Sequence, residues 1–140
     1  MTFSIVAKCE ETGMFGTAVT SSSPAVAARC SYTRSRVGAV SSQTIPDPSL
    51  RSYALDLLED GLSAKEVITK IKKEKNNLEF RQILIIDGKG QLAIHSGSNS
   101  LGVFSDASGI NVLSAGNMLA NKEVTKAVVE KFENTQGHLG

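Results

Sequence analysis

Thr2 is the residue in this sequence with the most chemistry available to it. A threonine hydroxyl is a weak nucleophile. At a chain's first position, however, its own α-amine, with an ordinary pKa of about 7.7–8.0, can take the hydroxyl proton. Methionine is normally trimmed before a residue as small as threonine, and removal of Met1 would free that amine. While Met1 remains, the amine is tied up in a peptide bond. A cation such as Arg36 or Lys8 would lower the amine's pKa and stabilise negative charge. A side-chain amide such as Asn117 or Gln43, or backbone N–H groups, would hold an oxyanion. The plainer reading makes Thr2 the first β-branched residue of an edge strand.

Other side chains offer less. Ser21, in the run Ser21–Ser23, and Ser42, in the pair Ser41–Ser42, can line a substrate pocket together with Gln43. Without a neighbouring histidine, serines of this kind are more often turn and strand residues. Cys30 lies near Arg29, Arg34 and Arg36, and a thiolate near arginines is activated, although a lone cysteine is usually structural. His95 sits on an alternating stretch as a half-buried or exposed residue, and His138 is close to the end of the sequence. Neither Asp47 nor Asp106 is marked as the orienter of a base. No Cys-x-x-Cys or His-Glu-x-x-His spacing suggests a metal, and no glycine loop has a phosphate-binding spacing, so no metal and no cofactor are expected.

Thr2 matters only if the chain threads it into a fold. Phe3, Val6 and Ala7, then Phe15, Ala18 and Val19, flank the polar break Glu10–Gly13, which predicts a hairpin with Gly13 free to take positive φ. After the turn cluster Ser21–Pro24, the small residues 25–28 suit either a strand or a short helical turn. Val37–Gln43 reads as a strand, stopped by Pro46 and Pro48. Tyr53, Ala54, Leu57 and Leu58 form one helical face ended by Gly61. Ser63 and Glu66 make a capping box for a second helix that carries Val67, Ile68 and Ile71 inward. Phe80–Ile86 is a strand whose unbroken apolar run implies burial on both faces. Asp87–Gly90 turns it into a partner, Gln91–Ser96. Residues 97–109 read as a glycine- and serine-rich surface loop, and 110–115 as a short strand. Asn121 is placed to cap a last helix with Val124, Val128 and Phe132 on one face.

Hairpin, helices, hairpin, helix is an α+β order, not an alternating parallel one. Two facing sheets with helices outside, or one sheet with helices on one face, would both satisfy it. The 140 residues make one domain, 1–140, with 41% hydrophobic and 21% charged residues, enough for a core and too apolar for disorder. The formal charge of +1 sets up no field that favours nucleic acid or an anionic membrane. The basic run Lys70–Lys75, with Ile71 and Glu74 interspersed, reads as a solvated helix face. No secretory pattern opens the sequence and no apolar run approaches membrane-spanning length, so a cytoplasmic protein with reduced thiols is the expectation.

Several of these stretches, taken in order, resemble the domain of unknown function 1028 family. They are Thr2–Ala7, then Thr12-Gly13 with Gly16 and Ala18-Val19, and Val37–Val40 ending in Gln43. Pro48, Leu55–Leu58, Gly61–Ser63, Arg81-Gln82 and Gly116-Asn117 follow. The resemblance spans essentially the whole sequence. It implies a fold similar to the N-terminal-nucleophile (Ntn) hydrolases, a four-layer αββα sandwich of antiparallel sheets, in which an N-terminal Thr, Ser or Cys cleaves amide bonds. Three departures stand out. Arg36 replaces the family's usual glycine, Met1 precedes Thr2, and the family's C-terminal portion is absent. The last implies either a fragment or a sheet edge completed by a partner, for which a homo-oligomer is expected. The function this implies is hydrolysis of a small amide or similar C–N bond, with Thr2, Arg36 and Asn117 catalytic and Ser21, Ser42 and Gln43 around a small-molecule substrate. The alternative is a non-catalytic ligand-binding or assembly subunit of the same fold.

Overall fold

A computed structural model describes residues 1–139. Its hairpin of β1 (Thr2–Lys8) and β2 (Phe15–Ser21) forms in register from Thr2 opposite Ser21 to Lys8 opposite Phe15. Gly13, at φ 70°, turns the chain between them. A five-residue helix, α1 (Val26–Cys30), then leads into a short strand, β3 (Ser31–Arg34). The small residues 25–28 thus adopt a helical turn, entered through Ala25 in the left-handed region at φ 51°. Strand β4 (Gly38–Gln43) follows, then helices α2 (Pro48–Glu59) and α3 (Ala64–Glu74). Strands β5 (Gln82–Asp87), β6 (Leu92–Ser96), β7 (Ser105–Gly109) and β8 (Val112–Asn117) precede the last helix, α4 (Glu123–Glu133).

The strands form two antiparallel sheets, ordered β2-β1-β8-β7 and β3-β4-β5-β6. β1 is therefore interior to its sheet, paired on both sides, and Thr2 does not open an edge strand. Alternation along the strands sorts side chains into three apolar clusters. Val40, Ile83 and Ile85 pack against Leu50, Leu55, Val67 and Ile71 of α2 and α3. On the opposite face of the same strands, Ala39, Leu84 and Ile86 meet Val6, Leu113 and Ala115 of the other sheet. Ala7, Val112 and Val129 join the far face of β1 and β8 to α4. All six residues of β4, of β5 and of β8 are buried, which is what the unbroken run in β5 demands.

Three expectations change. Residues 105–109 are a strand, because Ser105–Gly109 pair along β8 while Ala107 and Gly109 let α4 lie close. A side chain on Gly109 would come within 2.7 Å of Val129. Leu78–Phe80 form a 3₁₀ turn, so β5 begins at Gln82; the His95 Nε2–H donates to the Leu78 carbonyl at 2.9 Å and holds that turn. The buried face of α4 is centred on Thr125 and Val129, with Val124 and Val128 half-buried beside it, because the Thr125 hydroxyl bonds Ser105 Oγ at 2.9 Å. Asn121 does accept the Glu123 N–H at 2.9 Å. Cys9 and Cys30 are both free thiols. Among the described residues no helix is long and apolar enough to cross a membrane.

Helix starts follow side-chain chemistry. Ser63 and Glu66 form the reciprocal capping box, and Asp47 caps α2 by accepting the Ser49 N–H at 3.0 Å. The Ser49 hydroxyl, its backbone N–H and the Arg81 guanidinium hold the Asp47 carboxyl below its ordinary pKa. A depressed carboxylate stabilises the fold above its unfolded pKa of about 4 and loses that effect as pH falls through the folded value. Asp47→Ala should cost about 1 kcal/mol in urea unfolding at pH 7, and the difference from the parent chain should shrink as pH falls below about 4.

Candidate active site

The layer between the sheets is not uniform along its length. Val6, Ala39, Leu84, Ile86, Leu113 and Ala115 make its middle apolar. By the same alternation Thr2 and Ser4 of β1, Ser41 and Gln43 of β4, Gln82 of β5 and Asn117 of β8 face this layer, and they collect at one end. Gln82 is the hub. Its Oε1 accepts from Gln43 Nε2 at 3.1 Å, across its own sheet, and from Asn117 Nδ2 at 3.3 Å, across the gap between sheets. Its Nε2 donates to Ser96 Oγ at 3.2 Å and to the Ser105 carbonyl at 3.3 Å. Gln43 and Gln82 are fully buried and Asn117 nearly so.

Thr2 lies at the rim of this cluster. It pairs with Ser21 on one side and Asn117 on the other. The Thr2 and Ser21 hydroxyls are 2.8 Å apart, and Ser21 Oγ also accepts the Ser23 N–H at 3.1 Å. Thr2 is half-buried, while Met1 before it is exposed. Asn117 spends one amide hydrogen on Gln82 and the other on Thr44 Oγ1 at 3.2 Å, so it forms the wall beside Thr2 with no hydrogen left for an oxyanion. Gln43 Oε1 and the Ser4 hydroxyl have no partner within the protein among the described residues. Two strained residues adjoin the cluster, Thr44 at φ 80° and Met118 at φ 50°. Positive φ at a β-branched residue such as Thr44 is rare.

The other residues singled out in the sequence lie elsewhere. Arg36 precedes β4, whose opposite end carries Gln43, so roughly 20 Å of extended strand separates it from the cluster. Its own carbonyl lies against Gly88, and Lys8 Nζ donates to the Gly88 carbonyl at 2.8 Å. Both cations therefore sit at the far end of β1 from Thr2. Arg36 instead borders a cleft of about 440 Å³ with Leu58, Leu62, Lys89 and Gln91. A second, smaller groove runs over Phe3, Ile5, Ala18 and Val128 on the α4 side, and Thr2 borders neither. Ser42 points with Val40 toward α2 and α3, away from Gln43. Burial pushes the Cys30 thiol up, outweighing Arg29 and Arg51, so this cysteine is not activated.

The residues sequence reasoning missed are Gln82 and Arg81. Arg81 Nη1 donates to the Ile45 carbonyl at 2.9 Å and lies 3.6 Å from Asp47, which fixes the loop after Gln43. The available signal was a pair of long polar residues heading an apolar strand, where at least one must be buried and needs partners.

These features define an α+β protein of two antiparallel sheets with a buried amide cluster at one end of the layer between them. The model of the family described as "Family of unknown function (DUF1028)" matches residues 2–140, and the chain belongs to that family. The crystal structure of protein SPO2555 from Silicibacter pomeroyi, which carries the same family assignment, superposes with a TM-score of 0.92 at 25% identity. The match covers 98% of this chain and 64% of that one, so the chain spans less than two thirds of that relative's length. No protein with a curated description matches.

Replacing Gln82 with leucine would strand the Gln43 and Asn117 amides and the Ser105 carbonyl inside the protein. Gln82→Leu should lower the unfolding free energy by about 2–4 kcal/mol, read from urea titration. A loss below about 1 kcal/mol would mean that the cluster does not hold the two sheets together.

Proposed function

We propose that the protein is an amidohydrolase of the Ntn type, in which Thr2, freed of Met1, is the nucleophile. The three apolar clusters support reading the two sheets and the helices outside them as the four-layer αββα sandwich of that class. The observation that carries the reading is the position of Thr2. It stands at the first residue of an interior strand, on the face toward the polar cluster, with a second hydroxyl 2.8 Å away.

In this mechanism Thr2 Oγ1 attacks the amide carbonyl carbon and its proton passes to the α-amine of the same residue. Collapse of the tetrahedral adduct breaks the C–N bond, and the amine returns the proton to the leaving nitrogen. Water then hydrolyses the acyl-threonine ester. The Ser21 hydroxyl orients Thr2 Oγ1 or relays the proton, and Asn117 positions the wall without taking up charge. Arg36 has no part in the step, given its distance. A ligand-binding protein without turnover is the second reading, favoured by the absence of Arg36 and Lys8 from the Thr2 end.

Intact-mass analysis of the purified chain should show loss of Met1, and amide substrates should be turned over only by chains that start at Thr2. Thr2→Ala should abolish that turnover while changing stability by less than about 1 kcal/mol, one partly exposed hydrogen bond. Turnover that persists in Thr2→Ala would remove this residue from the mechanism.

A further inference from the structure

The 440 Å³ cleft beside Arg36 is bordered by charges of both signs, and they are unevenly committed. Its three carboxylates are engaged by the protein itself. Glu59 holds Arg34 at 2.6 Å, and Glu66 accepts from the Ser63 N–H at 2.8 Å and the Ser63 hydroxyl at 2.7 Å. The buried Asp87 takes the Ala64 N–H at 3.0 Å and the Lys89 and Gln91 N–H groups, both at 2.9 Å. The two cations are not engaged. Neither the Arg36 guanidinium nor the Lys89 ammonium has a hydrogen bond or an ion pair with any of the described residues, and both residues are exposed. Ser63 and, more weakly, the nearby Lys89 hold the Glu66 carboxyl below its ordinary pKa.

Arg36 is also strained. It stands in the turn between β3 and β4 at φ 63°, a conformation that glycine adopts freely and an arginine does not. A Cβ on Gly88 would come within 2.8 Å of the Arg36 carbonyl, so the turns before β4 and after β5 are in close backbone contact. That contact brings Arg36 and Lys89, the neighbour of Gly88, to one cleft. The wall between them is apolar. Leu58 is buried, and Val37 and Leu62 are half-buried against the same core cluster under α2 and α3. A strained residue whose side chain bonds nothing returns no stability to the fold, and strain of this kind collects at binding sites.

We propose that this cleft binds a small organic anion, a carboxylate or phosphate group on a short apolar body. Arg36 and Lys89 take the anionic head, and Val37, Leu58 and Leu62 lie against the body. The guanidinium is a planar fork of donors that meets two oxygens at once, and the ammonium adds a point charge. The volume falls within the roughly 300–1,000 Å³ of small-molecule sites, which are built as apolar walls with a few polar groups. The carboxylates accept from the protein's own donors, whereas Arg36 and Lys89 have all of theirs to give, so the cleft selects an anion. It lies a strand length from Thr2 and stands whether or not Thr2 is a nucleophile.

Titration of the full chain followed by amide NMR tests this, with acetate, hexanoate, inorganic phosphate, hexyl phosphate and uncharged hexanamide as probes. Hexanoate, hexyl phosphate or both should shift the Leu62, Gly88 and Lys89 N–H signals with a Kd of about 1 mM or tighter. Each that binds should do so at least about tenfold more tightly than its headgroup alone, through partial burial of the hydrocarbon. The tighter of the two identifies the head group. Arg36→Gln and Lys89→Gln should each weaken binding about tenfold, the effect of one charge-assisted hydrogen bond. Arg36→Gly should weaken it as much while leaving the urea midpoint unchanged or raised, because glycine accepts the turn's positive φ. That outcome separates loss of ligand from loss of fold, and Thr2→Ala should bind as the parent chain does. The site is overturned if neither six-carbon anion shifts those signals, or if hexanamide or the bare headgroups bind as tightly. Binding that survives both Arg36→Gln and Lys89→Gln would overturn it equally.

Discussion

The carbonyl oxygen of one glutamine side chain ties the two sheets together. Gln82 Oε1 takes one amide hydrogen from Gln43, in its own sheet, and one from Asn117, in the other. Buried amides bond each other strongly in low dielectric and are costly to leave unpaired, so this arrangement tolerates little displacement of one sheet against the other. Because Asn117 pairs with Thr2, fixing Gln82 also fixes the first residue of β1. The position of any chemistry at Thr2 follows from that constraint.

The opposite end of the same layer is built differently. Lys8 reaches across to the Gly88 carbonyl, and Arg36 stands in the turn before β4. A cation anchored there stiffens the sandwich but is a full strand length from Thr2. The layer thus gathers its uncharged amides and hydroxyls where β1 begins, is apolar in its middle, and has Lys8 and Arg36 where β1 ends.

Much of this was legible in the amino acids, and the failures have physical causes. Gly13, the capping box of Ser63 and Glu66, and the apolar run of β5 are local signals, and each appears where its chemistry demands. β7 was not legible, because Ser105–Gly109 has no apolar alternation; pairing with β8 and the close approach of α4 make it a strand. Thr2, Ser21, Gln43 and Asn117 were all recognisable as polar residues near strand ends, and the fold gathers them. Arg36 and Ser42 were misplaced. Nothing in the sequence tells which end of β4 meets β1, whereas the opposite facing of Ser42 and Gln43 follows from the period of the strand. The role of Gln82 is not legible in the sequence, because its partners come from β4, β6, β7 and β8, contacts that exist only after folding.

Covalent capture reports most directly on whether β1 presents a nucleophile. The chain would be incubated with a small aliphatic β-lactone, which a free threonine hydroxyl opens to an ester carrying the reagent's full mass, and the adduct located by peptide mass spectrometry. The account predicts one adduct per chain, on Thr2, in molecules that lack Met1 and none on Thr2 in molecules that retain it. Labelling confined to Cys9 or other side chains in the trimmed protein, with Thr2 unmodified, would contradict it.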